Sequence, residues 1–336
     1  MRGGMRSTIG RILKWFASKI GYRLVHPGEL ERRDQALAAA SRVAASGALQ
    51  RATGAGGGLR AIVFSRDRPL QLHALLGGLF DRFDSPPPIK VLFSVSNARA
   101  ETGYAQVAES FPGRNLELIH ETDFRADLLR QLELAGDDRL FFLVDDIVFI
   151  EPVHTADLQT FPIESHILSL RLAPRITYSY TRGQNETPPP LSPFAFGASG
   201  TTEALEWNWS AGEIDWGYAF SVDGHIFSAA EILELARAVP FRAPNSFESN
   251  MQVYAPYFSA RKGLCYQRPS LVNIPCNRVQ TEIENTHGEL HQDQLLDYWE
   301  AGQRVDFQKL YGFETNSCHQ EIPLPLYSPT GGGFKT

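Results

Sequence analysis

The chain has 336 residues, 43% of them hydrophobic and 21% charged. Those proportions support a sizeable core and exclude a disordered chain, a collagen and a small disulfide scaffold. With 32 Lys and Arg against 38 Asp and Glu the net charge is −6, so no general nucleic-acid coat is implied and nucleic acid is not an expected partner.

Residues 1–23 carry Arg2, Arg6, Arg11, Lys14, Lys19 and Arg23 and no acid. Ile9, Ile12, Leu13, Phe16 and Ile20 share one face of a helix, with Arg11, Lys14 and Ser18 on the other. A basic amphipathic helix of this kind suits an anionic membrane surface. Docking on the chain's own domain or on a partner subunit is the plainer alternative. Lys14 and Lys19 interrupt any signal-peptide core, and no apolar run reaches the roughly 18 residues of a membrane span. Cys265, Cys276 and Cys318 have no zinc spacing and read as reduced thiols. The expected location is cytoplasmic, with peripheral attachment at the inner face of the plasma membrane.

Residues 28–52 predict a helix, and Gly54–Gly58 a flexible break before the main body. Strands at Ala61–Ser65, Ile89–Ser96, Leu116–His120 and Leu140–Val144 then alternate with helices at Pro69–Phe83, Thr102–Phe111 and Arg125–Ala135. This alternation predicts an α/β fold, with a mainly parallel sheet and helices on both faces. The organisation expected is an extension at 1–58 and two halves at 59–160 and 161–336. In the second half, Ser165–Leu172 alternates like a strand, and residues 182–200 with Pro188–Pro190 predict a long loop. Trp207–Phe227 holds Trp207, Trp209 and Trp216, which serve equally as sugar-stacking platforms or as a core cluster. Helices are expected at Ala229–Ala238, Ser246–Tyr257 and His291–Gly302.

Ligands of an open parallel sheet bind beyond the carboxyl ends of its strands. The residues there are Ser65, Arg66, Asp67 and Arg68, then Ser96 and Asn97, then Asp145 and Asp146. Basic side chains beside two adjacent carboxylates suit a phosphorylated ligand with a divalent cation, Mg²⁺ or Mn²⁺. No G-x-G-x-x-G follows the first strand and no Walker motif is present, which weighs against a dinucleotide oxidoreductase and a P-loop NTPase. As a plain strand end, Asp145-Asp146 would be solvated, but the apolar segments on both sides predict burial and hence a partner charge.

Three elements of the sequence resemble the GT-A-fold (Rossmann-like) nucleotide-sugar glycosyltransferases, most of all bacterial enzymes of the family 2 type. They are Phe64-Ser65-Arg66-Asp67-Arg68-Pro69-Leu70, the apolar strand Phe141–Val144 ending in Asp145-Asp146, and Asp215–Phe227 with Pro244-Asn245-Ser246-Phe247-Glu248. Ile147 follows the acidic pair, so a strict Asp-x-Asp cannot be read from Asp145, and no Glu-Asp pair marks a base.

The resemblance implies a nucleotide-sugar-binding half at 59–160 and an acceptor-binding half with the C-terminal region at 161–336. It implies a nucleotide-sugar donor and a glycan or lipid-linked acceptor. Asp146 would hold the metal, with His319 or His287 completing its shell, and Asp145 would face the ribose. Ser65, Arg66, Arg68 and Ser96 would contact the nucleotide sugar. Glu248 is the first choice for the catalytic base and Asp215 the second; the plainer roles are a helix-start acid and a loop acid. The competing functions are a nucleotidyltransferase of similar fold and a non-catalytic, membrane-surface carbohydrate-binding relative.

Overall fold

The computed structural model describes residues 27–46, 57–197, 202–258, 260–276 and 292–329. The basic segment 1–23 and His287 lie outside them. Helix α1 spans Pro27–Ser46. The main body opens with β1 (Leu59–Arg66), α2 (Pro69–Arg82), β2 (Ile89–Ser94), α3 (Ala98–Glu109), β3 (Leu116–His120), α4 (Phe124–Ala135) and β4 (Arg139–Val144). β5 (Ile147–Phe149), α5 (Thr155–Thr160), β6 (His166–Ser169), β7 (Tyr178–Ser179), β8 (Gln184–Asn185), β9 (Ser192–Phe196) and β10 (Thr202–Asn208) follow. The last elements are β11 (His225–Ser228), α6 (Ala229–Ala238), α7 (Pro244–Met251), β12 (Lys262–Cys265), β13 (Leu271–Asn273), α8 (Gln292–Glu300), β14 (Arg304–Val305) and β15 (Leu326–Tyr327).

Nine of these strands form one sheet, in the order β3-β2-β1-β4-β11-β6-β12-β10-β9. β3, β2, β1 and β4 are mutually parallel, β11 is antiparallel to both β4 and β6, and β12 is parallel to β6. The sheet is thus mainly parallel, with β11 and β10 reversed.

The apolar runs of β1 and β4 are explained by burial on both faces. Leu59, Ala61, Val63, Phe141 and Leu143 face a core shared with α2, α3 and α8. Ile62, Phe64, Leu140 and Phe142 face a second core, shared with α1, α4, α6 and α7. Successive side chains of a strand point to opposite faces, so a centrally placed strand has no polar side. Helix starts are capped as the residue types predict: Asn97 accepts from the Ala100 N–H, Asp123 from Ala126 and Ser228 from Glu231. α2 opens on Pro69, whose missing N–H costs nothing there.

Two expectations are corrected. Residues 182–200 are not wholly loop: β8 and β9 lie within them, and β9 pairs with β10 at the edge of the large sheet. Pro193 sits in β9, where an edge strand tolerates the missing donor. The helix expected over Ser246–Tyr257 is α7 followed by a 3-10 stretch, Gln252–Phe258, with Pro256 inside it.

The three tryptophans form a core cluster. Trp207 meets Trp209 and Trp216 edge-on at ring separations of 4.7 and 5.0 Å, and all three are buried. Gly263 lies against Trp207, where a Cβ would come within 2.2 Å of the indole. Among the described residues no helix is long and apolar enough to cross a membrane.

Candidate active site

The reversal of β11 builds the site. Its amino-terminal end lies on the same rim as the carboxyl ends of β1, β4 and β6. Ser65 and Arg66, Asp145 and Asp146, Arg171 and Asp223 are therefore brought to one edge of the sheet.

Asp145 is saturated by its own chain. Its Oδ2 accepts from the Ser65 hydroxyl at 2.8 Å and the Arg66 N–H at 3.1 Å, and its Oδ1 accepts from Arg68 Nη1 at 2.8 Å. The Tyr104 hydroxyl accepts from the Arg68 N–H at 3.2 Å and lies 2.5 Å from Ser65 Oγ. Because Ser65 donates to Asp145, Tyr104 donates to Ser65, and the proton order of the chain is settled. Burial opposes the Arg68 charge, but Asp145 and Asp146 outweigh it and raise the guanidinium pKa. Ser65 and Arg68 thus hold Asp145 inward. Arg66 instead carries a half-exposed side chain, 3.7 Å from Asp67, and Ser96 is exposed on the rim. Asp67 adopts a left-handed backbone (φ 54°) and accepts the Ser96 N–H at 2.7 Å, joining the ends of β1 and β2.

Asp146 is held much more loosely. Its Oδ1 accepts from Asn273 Nδ2 at 3.2 Å, and its Oδ2 comes no nearer to Arg68 than 3.6 Å. Burial pushes its carboxyl up to about 7, with Asp145 and Asp223 adding to the effect and Arg68 opposing it. A cavity beside the pair is lined by Gln71, Ala74, Val148, Ile274, Val305 and Leu324. Asn273 is 1% exposed, and its Oδ1 has no hydrogen-bond partner among the described residues.

Two oxygens, one charged and one an orphaned amide carbonyl, fit a hard divalent cation whose remaining ligands come from substrate phosphates and water. Among the described residues no three His, Cys, Asp or Glu side chains are grouped to hold an ion by themselves. The fit is therefore to a cation shared with a ligand. His319 is adjacent: Asn273 bridges to it in the backbone, and its Nε2 is 3.7 Å from Asp223 Oδ2. Burial and Arg171 lower the His319 pKa and favour the neutral ring.

Glu248 lies in the middle of α7, not in its first turn. Its Oε1 accepts from Ser221 Oγ and from the Val222 N–H, each at 2.9 Å. Burial, then Asp223, push its carboxyl up to about 7 against Val222, Arg171 and Ser221. Asp215 lies elsewhere in the cluster. Its Oδ1 accepts from Arg171 Nη2 at 2.6 Å, and its N–H donates to Glu186 at 3.1 Å. Although buried, Asp215 is held below the usual range, chiefly by Arg171. Glu186 is driven the other way, up to about 8, by burial and by Asp215.

Arg171, Ser221, Asp223 and Asn273 were not among the sequence candidates. The available signal for Arg171 was a lone arginine within the alternating run Ser165–Leu172; Asp223 directly precedes an apolar strand. Neither position points to the rim until the direction of β11 is known.

No family model matches the chain. The chain is similar to a curated glycosyltransferase, the bifunctional glycosyltransferase pgtA of Dictyostelium discoideum, with 27% identity over 261 residues, 68% of this chain. That alignment covers 33% of pgtA, so the chain spans about a third of its relative's length. The apo structure of the bifunctional glycosyltransferase WbbM aligns with 60% of this chain and 38% of its own, at 12% identity and a TM-score of 0.30. At that score nothing about this chain follows from it.

Proposed function

We propose that the chain transfers a glycosyl group from a nucleoside-diphosphate sugar to an acceptor hydroxyl, with inversion and with dependence on a divalent cation. The observation that carries this reading is the unequal treatment of the consecutive carboxylates. Asp145 is consumed by Ser65, Arg66 and Arg68, whereas Asp146 keeps one long hydrogen bond beside the orphaned Asn273 Oδ1. The likeness to pgtA supports the reaction class.

A divalent cation there would neutralise the charge that develops on the departing diphosphate. Asp146 and Asn273 Oδ1 would supply the protein oxygens, and His319, joined to Asn273 by a backbone bridge, is a further candidate. Arg66 and Ser96, exposed at the ends of β1 and β2, meet the nucleotide. Glu248 takes the proton of the acceptor hydroxyl as it attacks; a carboxyl near 7 is matched to that task at neutral pH. The role proposed is synthesis of a surface glycan or polysaccharide on a glycan or lipid-linked acceptor, with residues 1–23 meeting an anionic membrane surface. The test is thermal shift with UDP-, GDP- and CMP-sugars, with and without Mn²⁺. Stabilisation by one of them that needs the metal is expected; no shift with any of them overturns the reading.

A further inference from the structure

We infer that Arg171 and Ser221 form a positioning relay that fixes the Glu248 carboxylate and directs which of its oxygens takes the proton. Arg171 Nη1 donates to Ser221 Oγ at 2.9 Å, and the Asp223 N–H donates to the same oxygen at 3.2 Å. A serine hydroxyl has two lone pairs and one proton. Both lone pairs are occupied, so the proton has one remaining use, the 2.9 Å hydrogen bond to Glu248 Oε1. The Val222 N–H donates to that same Oε1.

Two hydrogen bonds converge on Oε1 and favour the ionised form. Oε2 has no hydrogen-bond partner among the described residues and is left as the basic atom. Arg171 is itself held from two sides, by Asp223 at 2.9 Å and Asp215 at 2.6 Å, and is 3% exposed. Its guanidinium therefore has no freedom to turn away from Ser221. Asp215, the alternative base, serves in this arrangement as a counter-ion that fixes the relay.

The relay rests on the reading of Glu248 as the base, but its test needs neither donor nor acceptor. The protein labelled with ¹³C at the glutamate carboxyl is titrated by NMR, and the Glu248 signal is assigned by its loss in Glu248→Gln. The charged and titratable groups facing Glu248 are Asp223, Arg171 and Tyr218, and all three stay in place in the variants.

Ser221→Ala removes a hydrogen bond to the ionised form, so the midpoint should move up by about one pH unit, tenfold in proton affinity. Ser221→Thr, which keeps the hydroxyl, should restore it. Should Ser221→Ala not fold, Ser221→Cys, a weaker donor of similar volume, should move the midpoint the same way. A midpoint unchanged in the Ala or Cys variant overturns the relay and leaves the transferase reading untouched. Transfer by Glu248→Gln at the wild-type rate would instead overturn the reading of Glu248 as the base.

Discussion

Arg68 donates to Asp145 at 2.8 Å from a side chain only 9% exposed, and so ties the turn after β1 to the end of β4. Removing one partner of such a pair strands a buried charge, at a cost of about 3–5 kcal/mol. Arg68→Met should therefore lose about that much stability in urea unfolding. Arg68→Met combined with Asp145→Leu should recover part of it, because the carboxylate that Arg68 pairs most closely is removed with it.

The two carboxylates of the pair should separate by phenotype. Asp146→Asn should abolish Mn²⁺-dependent binding of the stabilising nucleotide sugar while leaving the melting temperature of the free protein close to wild type. Asp145→Asn should lower that melting temperature, since its amide cannot accept all three donors that the carboxylate accepts. Calorimetric titration and a thermal melt on each variant check this. A reversed pattern would reverse the assignment.

Glu248→Gln should bind donor as tightly as wild type and transfer nothing. With Glu248 as the proposed base its ionised carboxylate would be the active form, so the rate should fall as pH drops through about 7, the value to which burial raises this group. A pH–rate profile whose acid limb lies near the ordinary glutamate range would move the base away from Glu248.

Glu186 gives a prediction in stability. Its carboxyl, raised from 4.5 to about 8 by burial and Asp215, binds its proton more tightly when folded. Wild-type stability should therefore fall as pH rises from about 4.5 to about 8, because the unfolded chain ionises first. Glu186→Gln should lack the Glu186 share of that decline while Asp146 and Glu248 keep theirs, so urea midpoints at several pH values across the window should shift progressively in favour of the variant.

Gly263 has no room to gain a methyl group. Its Cβ would lie 2.2 Å from Trp207 and force the tryptophan cluster apart. Gly263→Ala should cost about 1–3 kcal/mol by overpacking, read as a lower melting temperature.

The first half of the fold was legible because its strands are buried on both faces. The runs Ala61–Ser65 and Leu140–Val144 needed no tertiary information to be recognised. The reversed β11 was not: His225–Ser228 is four residues long, too short to carry direction or partner. β9 was hidden by Pro193, which reads as loop until its edge position is known. The Asp145-Asp146 pair was visible as a pair. Which member turns inward depends on Arg68 and Ser65 reaching across from β1, and strand pairing alone decides that. Arg171 and Asp223 are not legible in the sequence because their meeting depends on β11 lying between β4 and β6.

That insertion also has a kinetic consequence. Phe227 pairs with Leu140, and Ile226 with Leu168, so the rim closes only when segments distant along the chain have met. Such non-local pairings pay their loop entropy before any contact rewards it. Catalytic competence during refolding should therefore lag behind the helical signal, with the rim among the last parts of the molecule to acquire its native arrangement.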